Sequence, residues 1–152
     1  MATKQQDAVA LLKEDHRTVE KLFDQFEKAT GDGRKQKLAE QVCFELSIHA
    51  KIEEEIFYPA CEGKVEEDLL KEAYVEHDGA KMLISQIMAG GPDDEFYDAK
   101  VKVMSEWVKH HVKEEQNEMF PKAKKSRLDM AELGERLLQR KQELLAEVQA
   151  KH

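Results

Sequence analysis

Apolar side chains recur every three or four residues along most of the chain, the spacing of one face of an α-helix. Glycine and proline interrupt this pattern at Gly31, Gly63 and Pro92. The intervening segments are rich in Glu, Lys, Leu, Ala and Gln, which favour helices, and the alternation typical of strands is absent. The pattern therefore predicts four helices, over about residues 5–29, 33–61, 66–89 and from just after Pro92 to near Pro121.

Short connections between long helices favour antiparallel neighbours. The sequence thus predicts an all-α fold, in which residues 1–125 form an up-down-up-down four-helix bundle. Residues 126–152 are predicted to form an additional C-terminal helix, capped by Ser126 or Asp129. Its apolar stripe consists of Met130, Leu133, Leu137, Leu144 and Val148. This stripe would pack either on the bundle or on a partner chain, and the sequence does not choose between them.

The two halves of the predicted bundle carry the same motif. His49-x-x-x-Glu53 in the second helix recurs in register as His111-x-x-x-Glu115 in the fourth. Each motif is followed by an aromatic residue and a proline, and each proline lies ten positions after its histidine. Residues i and i+4 are neighbours on one helix face, with Cβ atoms about 5–6 Å apart, so an imidazole and a carboxylate at this spacing can hold one metal ion.

An acidic residue followed by histidine repeats upstream of each motif, as Asp15-His16 and Glu76-His77, in nearly the same register. Six candidate metal ligands therefore fall on apolar stripes, namely His16, His49, Glu53, His77, His111 and Glu115. Two histidines and one carboxylate per half are typical of oxygen-reactive non-haem iron. If both carboxylates bridge two octahedral ions, each ion keeps positions for an oxo or hydroxo bridge and for an exogenous ligand.

Other metal sites and a site without metal are less consistent with this pattern. Structural zinc favours a closed tetrahedron of four ligands, usually with cysteine, and the Glu-x-x-His motif of ferritin-like di-iron bundles is absent. A lone histidine on an apolar face is usually an ordinary core residue. Here, however, two carboxylates also face inward, where an unpaired charge is costly.

Together these motifs resemble the hemerythrin-like (HHE cation-binding) family over about residues 8–125. The resemblance implies a centre of two non-haem iron ions inside a four-helix bundle. At the matching positions, it implies terminal iron ligands at His16, His49, His77 and His111. It implies bridging carboxylates at Glu53 and Glu115.

One position departs from the oxygen-carrying hemerythrins, which have a His-x-x-x-His pair on the third helix. No histidine stands four residues before or after His77, which makes pure reversible oxygen carriage doubtful. Tyr74, on the same face, either fills the gap or is an ordinary core tyrosine. Tyr58 lies nearly opposite His49 on the predicted second helix and is a poorer candidate. Glu45, four residues before His49, either accepts a hydrogen bond from that imidazole or is partly exposed.

Charge and cysteine content restrict where the protein acts. The 152 residues include 24 basic and 32 acidic side chains, a net charge of −8, which disfavours binding to nucleic acid and to anionic membranes. No apolar run approaches the ~20 residues of a membrane span, and no signal peptide is evident. Cys43 and Cys61 would lie roughly 27 Å apart on one helix. Free thiols and a cytoplasmic location are therefore predicted.

Three functions remain open on this basis. The first is binding of O2, NO or iron through the di-iron centre, for storage, sensing or iron handling. The second is a catalase-like enzyme that decomposes peroxide, and the third is a scaffold that no longer binds metal. The first is favoured because no further inward acid–base pair is visible. The expected partner is a small ligand (O2, NO or peroxide), with no nucleic acid or membrane, and the protein is expected to be a monomer or weak homodimer.

Overall fold

The structure is a computed structural model that describes residues 7–151, with side chains up to residue 148. Seven α-helices form within these residues: α1 (Ala8–Lys28), α2 (Asp32–Ile52), α3 (Tyr58–Cys61), α4 (Glu67–Ala89), α5 (Tyr97–Glu114), α6 (Phe120–Lys125) and α7 (Met130–Lys151). Two π-helical turns, Glu53–Phe57 and Glu115–Met119, connect α2 to α3 and α5 to α6 without a break. We call α1 to α3 the first hairpin and α4 to α6 the second hairpin.

The arrangement confirms the predicted all-α fold. Helix α1 packs against α2 and α5, and α4 packs against the same two helices, which gives four long helices of alternating direction. Side-chain caps fix the ends of two elements: Asp7 accepts a hydrogen bond from the Ala10 amide at the start of α1, and Asp129 accepts one from the Glu132 amide at the start of α7. Asp129 is thus the cap of the additional helix.

Two predicted boundaries are wrong for local reasons. The fourth helix begins at Tyr97 rather than just after Pro92, because the Asp94 carboxylate accepts a hydrogen bond from the Phe96 amide and stabilises a turn instead. The same helix does not end near Pro121 but continues to Lys125. A proline ring clashes with the carbonyl four residues earlier in a regular α-helix. The wider π-helical turn before Pro121 accommodates the ring, and the turn before Pro59 does the same.

The buried apolar side chains form two clusters, one toward each end of the bundle. One contains Leu12, Ile52, Phe57, Met119 and Leu137, among others. The other contains Val19, Phe23, Val42, Val101 and Met104, among others. Each of the six candidate ligands lies on a helix or π-helical turn, between residues that belong to these clusters. Packed apolar side chains therefore flank every candidate ligand along the chain.

Helix α7 lies on the first hairpin, against α1, α2 and the first π-helical turn. Leu133, Leu137 and Leu144 of its apolar stripe are buried in the cluster that contains Leu12. The stripe therefore packs on the bundle of its own chain. The predicted division into a bundle of residues 1–125 and a separate C-terminal unit of residues 126–152 stays a prediction. In the described part of the chain, no helix combines the length and the apolar character needed to cross a bilayer.

Candidate metal centre

The structure brings all six candidate ligands together in the interior of the bundle. The two glutamates are the first residues of the two π-helical turns and are almost fully buried, with Glu53 0% and Glu115 2% exposed. The histidines come from four different helices: His16 from α1, His49 from α2, His77 from α4 and His111 from α5. Each hairpin thus contributes two imidazoles and one carboxylate.

One group consists of His16, His49, Glu53 and Glu115, whose ligand atoms lie within 4.8 Å of one another. His16 Nε2 is 3.1 Å from Glu115 Oε1, and His49 Nε2 is 3.2 Å from Glu53 Oε1. Among the described residues, His16 Nε2, His49 Nε2, Glu53 Oε2 and Glu115 Oε1 are buried side-chain atoms without a hydrogen bond. Burying such atoms is costly unless a partner compensates, so this donor set fits a cation.

A second group consists of Glu53, His77 and His111, which also lie within 4.8 Å of one another. His77 Nε2 is 3.2 Å from Glu53 Oε1, and His111 Nε2 is 3.3 Å from Glu115 Oε2. Each glutamate therefore approaches one imidazole of each group. Glu115 makes these approaches with two different oxygens and Glu53 makes both with Oε1, so each glutamate lies between the two groups.

Tyr58 enters the centre, contrary to the expectation that it lies on the far side of its helix. Its hydroxyl donates a hydrogen bond to Glu115 Oε2 at 2.7 Å and lies 3.2 Å from Glu53 Oε1. The same oxygen is 3.1 Å from His77 Nε2 and 3.3 Å from His111 Nε2. Burial and the two carboxylates raise the pKa of Tyr58 well above its usual value while no cation is bound.

The first π-helical turn explains why sequence reasoning missed Tyr58. A π-helical turn adds about one residue to an α-helix and so rotates all later side chains by about 100°. This rotation turns Tyr58 from the predicted outer face toward the centre. Tyr74 packs its ring edge-on against Tyr58, with centroids 5.3 Å apart, and is a partly buried tyrosine outside the centre. The proline that follows Tyr58 was the available sign of an irregular turn.

The outer nitrogen of each imidazole has its own hydrogen-bond partner. In one group, His16 Nδ1 is 2.8 Å from Gln116 Oε1, and His49 Nδ1 is 2.9 Å from Asp15 Oδ2. Such partners orient a ligating ring and leave Nε2 free to bind the metal. One sequence-based alternative placed Glu45 beside the His49 imidazole, but Asp15 makes this contact instead.

In the other group, His77 Nδ1 is 2.9 Å from Glu54 Oε2, and His111 Nδ1 is 2.6 Å from Glu76 Oε1. The Glu54 side chain is only 22% exposed and also binds Lys81. The partners follow one rule in both hairpins. The acidic residue before the first histidine holds the second histidine, and the residue after each glutamate holds the first histidine of the other hairpin.

Without a bound cation, the buried carboxylates favour the protonated forms of two imidazoles, those of His49 and His111. Burial alone lowers the pKa of His49, but the charge of Glu53 and the hydrogen bond to Asp15 outweigh it and raise that pKa to about 10. The same balance, with Glu115 as the main partner, raises the pKa of His111 to about 11. The pKa of Glu115 is lowered correspondingly, because His111 and His16 outweigh its burial. A metal ion binds in place of these protons.

A narrow cavity of about 50 Å³ reaches all four imidazoles. Apolar side chains make up most of its wall, including Ala80, Ile84, Trp107 and Val108. Trp107 is 45% exposed, and its indole packs on Gly79, where a Cβ atom would stand 2.5 Å from the ring. Only a glycine at position 79 allows this close approach. Tyr58 does not line the cavity.

Comparisons with known proteins agree with this architecture. A family model described as the hemerythrin HHE cation binding domain matches residues 7–123. The fold is similar to the crystal structure of a hemerythrin HHE cation binding domain-containing protein from Mycobacterium kansasii, with a TM-score of 0.84 and 23% identity. That similarity covers 96% of this chain and 91% of the other.

A curated relative, a DNA nickase from Nostoc sp. (strain PCC 7120), is 28% identical over 110 residues. These residues are 72% of this chain but only 31% of the nickase, so the chain spans about a third of that longer protein. The family model, by contrast, covers most of the chain and includes all six candidate ligands. The chain therefore belongs to the hemerythrin HHE cation-binding domain family.

Proposed function

We propose that the protein is a non-haem di-iron protein that binds a small uncharged ligand, O2 or NO, through a centre of four histidines and two glutamates. The observation that carries this proposal is the set of buried, unpartnered atoms of His16, His49, Glu53 and Glu115 that face one another. In this proposal, two iron ions with an oxo or hydroxo bridge supply reversible redox and ligand binding.

The donor set favours iron over the alternatives. Nitrogen and carboxylate ligands without thiolate, with room for exogenous ligands, are typical of oxygen-reactive non-haem iron. Structural zinc would favour a closed four-ligand site. Glu53 and Glu115 each approach imidazoles of both groups, which supports their role as bridges between two ions.

Tyr58 is the proposed additional ligand, at the iron position held by His77 and His111. Its hydroxyl oxygen lies within 3.3 Å of both of these imidazoles and of both carboxylates. A phenolate is a hard, anionic donor that stabilises ferric over ferrous iron. Reversible oxygen carriage needs the ferrous state, so this ligand favours redox chemistry over simple carriage.

The cavity supports a small, uncharged ligand. Its wall near Ile84 and Val108 is apolar, and its volume of about 50 Å³ holds a few atoms, whereas pockets for drug-sized molecules measure about 300–1,000 Å³. The charged side chains that also line it, Asp15, Glu76 and Lys81, already pair with His49, His111 and Glu54, so a charged ligand finds few free partners. The side chains therefore admit a diatomic molecule and disfavour larger anions.

A second candidate function is catalase-like decomposition of peroxide, in which two H2O2 yield two H2O and one O2. The observation that favours it is the hydrogen bond that the Tyr58 hydroxyl donates to Glu115 Oε2 at 2.7 Å; in this candidate Tyr58 keeps its proton instead of binding iron as a phenolate. A proton held at this atom is available to a leaving oxygen. Oxygen evolution from peroxide by the iron-loaded protein, followed with an oxygen electrode, separates this candidate from simple ligand binding.

Metal analysis tests the proposal directly. The protein loaded with ferrous iron under anaerobic conditions should contain about two iron ions per chain and, after oxidation, show the absorption of a bridged ferric pair. Glu115→Ala should lose most of the iron and keep its helical circular dichroism. Glu114→Ala, the adjacent control on a side chain 24% exposed, should load normally. Full iron loading of Glu115→Ala, or no iron in the unaltered protein, would show the proposal to be wrong.

A further inference from the structure

Helix α7 reaches the candidate metal centre through one side chain. Lys141 Nζ donates a hydrogen bond to Asp15 Oδ1 at 2.6 Å. The other carboxylate oxygen, Asp15 Oδ2, accepts a hydrogen bond from His49 Nδ1 at 2.9 Å. A continuous path of two hydrogen bonds thus connects the additional helix to a candidate iron ligand. Neither the family motif nor the family model, which ends at residue 123, includes Lys141.

Asp15 depends on both contacts because it is buried. The residue is 7% exposed, and a buried carboxylate needs partners for its charge. Burial tends to raise the pKa of Asp15, but the interactions with His49 and Lys141 outweigh burial and lower it. The Lys141 side chain is itself only 24% exposed, since the helix lies flat on the first hairpin. Both oxygens of the carboxylate are therefore fixed in place, one by each partner.

The second hairpin lacks this arrangement, although the residues correspond. Glu76 holds His111 as Asp15 holds His49. The other oxygen of Glu76 faces His110 Nε2 at 3.8 Å, and that imidazole side chain is 68% exposed. No helix covers Glu76 from outside in the described part of the chain as α7 covers Asp15. The lysine contact is thus an addition to one half of a nearly symmetric centre, and the repeat does not require it.

We propose that Lys141 is a positioning residue of the metal centre. It holds Asp15 so that this carboxylate fixes the ring orientation of His49, which directs Nε2 toward the iron position shared with His16. In this role, α7 is part of the iron site as well as part of the apolar core. The expected effect on iron binding rests on the proposed di-iron function. The expected effect on the ring orientation of His49 does not depend on iron.

A comparison of neighbouring substitutions on α7 tests this role. Lys141→Met removes the contact to Asp15. Arg140→Met is the matched control, because Arg140 binds Glu55 of the first π-helical turn at 2.7 Å and has no path to an imidazole. Lys141→Arg should restore the contact. Lys141→Gln serves as a second removal variant, should the methionine variant fold poorly.

The first readout is the nitrogen NMR signal of the His49 imidazole in the 152-residue chain without metal. We expect its Nδ1 signal to shift, and its Nδ1 proton to exchange faster with solvent, in Lys141→Met and Lys141→Gln. The Arg140→Met and Lys141→Arg variants should resemble the unaltered protein. Unchanged His49 signals in both removal variants, or the same change in Arg140→Met, would overturn the proposal.

The second readout is iron affinity and the optical spectrum of the loaded protein. Removal of a direct partner of a ligating histidine typically costs about 10–100-fold in metal affinity. Lys141 acts through such a partner, so we expect a loss of roughly 3–10-fold, with a shifted ferric absorption. If the unaltered protein binds no iron, the di-iron function fails while the His49 signals still decide the positioning role. Normal iron affinity together with unchanged His49 signals rejects the positioning role alone.

Discussion

The first and second hairpins have the same pattern of candidate ligands but place different side chains beside them. Tyr58 and Phe120 occupy corresponding places in the repeat, directly before the two prolines. Tyr58 points its hydroxyl at His77 Nε2, whereas Phe120 stacks parallel on the His16 ring, with centroids 6.0 Å apart. A hydroxyl oxygen thus lies beside the candidate ligand His77, and an apolar ring borders the candidate ligand His16. A nearly symmetric frame can therefore hold two chemically different ions.

The hairpins also differ in what covers them. Helix α7 buries Leu137 completely against the first hairpin and brings Lys141 to Asp15. The second hairpin instead leaves apolar side chains on its surface, with Val75 70% and Met82 64% exposed. The additional helix therefore covers the first hairpin with apolar contacts and pairs the charge of Asp15 with Lys141. Within the described residues, α7 packs on the first hairpin and does not cover the candidate ligands of the second hairpin in this way.

The largest expected effect concerns this cover. Leu137→Ala removes a fully buried side chain between α7 and the first hairpin and should lower the free energy of unfolding by about 2–5 kcal/mol. Val75→Ala, the control on the exposed second hairpin, should change it by no more than about 0.5 kcal/mol. Urea unfolding followed by circular dichroism measures both. Equal losses in the two variants would show that α7 contributes little to the first hairpin.

The next prediction concerns a substitution that would make the two proposed iron positions more alike. Tyr58→Phe removes the hydroxyl that distinguishes them and should weaken iron binding at the His77 and His111 position by about 10-fold or more. It should also abolish any phenolate-to-iron absorption in the visible spectrum of the ferric protein. Tyr74→Phe is the control, because that ring only packs against Tyr58. A spectrum lost in Tyr74→Phe but kept in Tyr58→Phe would reverse the assignment of the two tyrosines.

A smaller effect concerns the outer partners of the imidazoles. Glu54→Gln gives His77 the neutral amide partner that Gln116 already provides to His16. The hydrogen bond is kept but the charge is lost, so iron affinity should fall by about 10-fold, the lower end of the range for such partners. Glu55→Gln, one residue further and paired with Arg140 at the surface, should leave the affinity unchanged. Titration of the metal-free variants with ferrous iron compares them.

The last prediction concerns a near absence of reaction, and it reports on the first hairpin alone. Cys43 and Cys61 are the only cysteines in the sequence, and both are buried free thiols of this hairpin. Burial raises the pKa of each to about 12. Thiolate is the reactive form, so alkylation at pH 8 should be at least ~100-fold slower than in the unfolded chain and should accelerate as the pH rises. Rapid labelling at pH 8 would show that this hairpin opens easily.

The sequence by itself determined the frame of the molecule. Helical periodicity and Gly or Pro interruptions are local signals, and they predicted the bundle and the additional helix, with errors where Asp94 stabilises a turn and where a π-helical turn accommodates Pro121. The motif that recurs in the two hairpins predicted the six candidate ligands, and the fold brings these side chains together. Residues four apart on a helix share a face wherever the helix packs, so this part needed no tertiary knowledge.

The tertiary structure alone decided what surrounds those six side chains. The place of Tyr58 depends on a π-helical rotation that regular periodicity does not reveal. The choice of Asp15 over Glu45 depends on how α1 and α2 are rotated against each other. Lys141 reaches Asp15 across 126 residues of chain. Contacts between helices depend on their relative rotation and packing, which a spacing rule within one helix does not contain, and for that reason only the folded molecule fixed them.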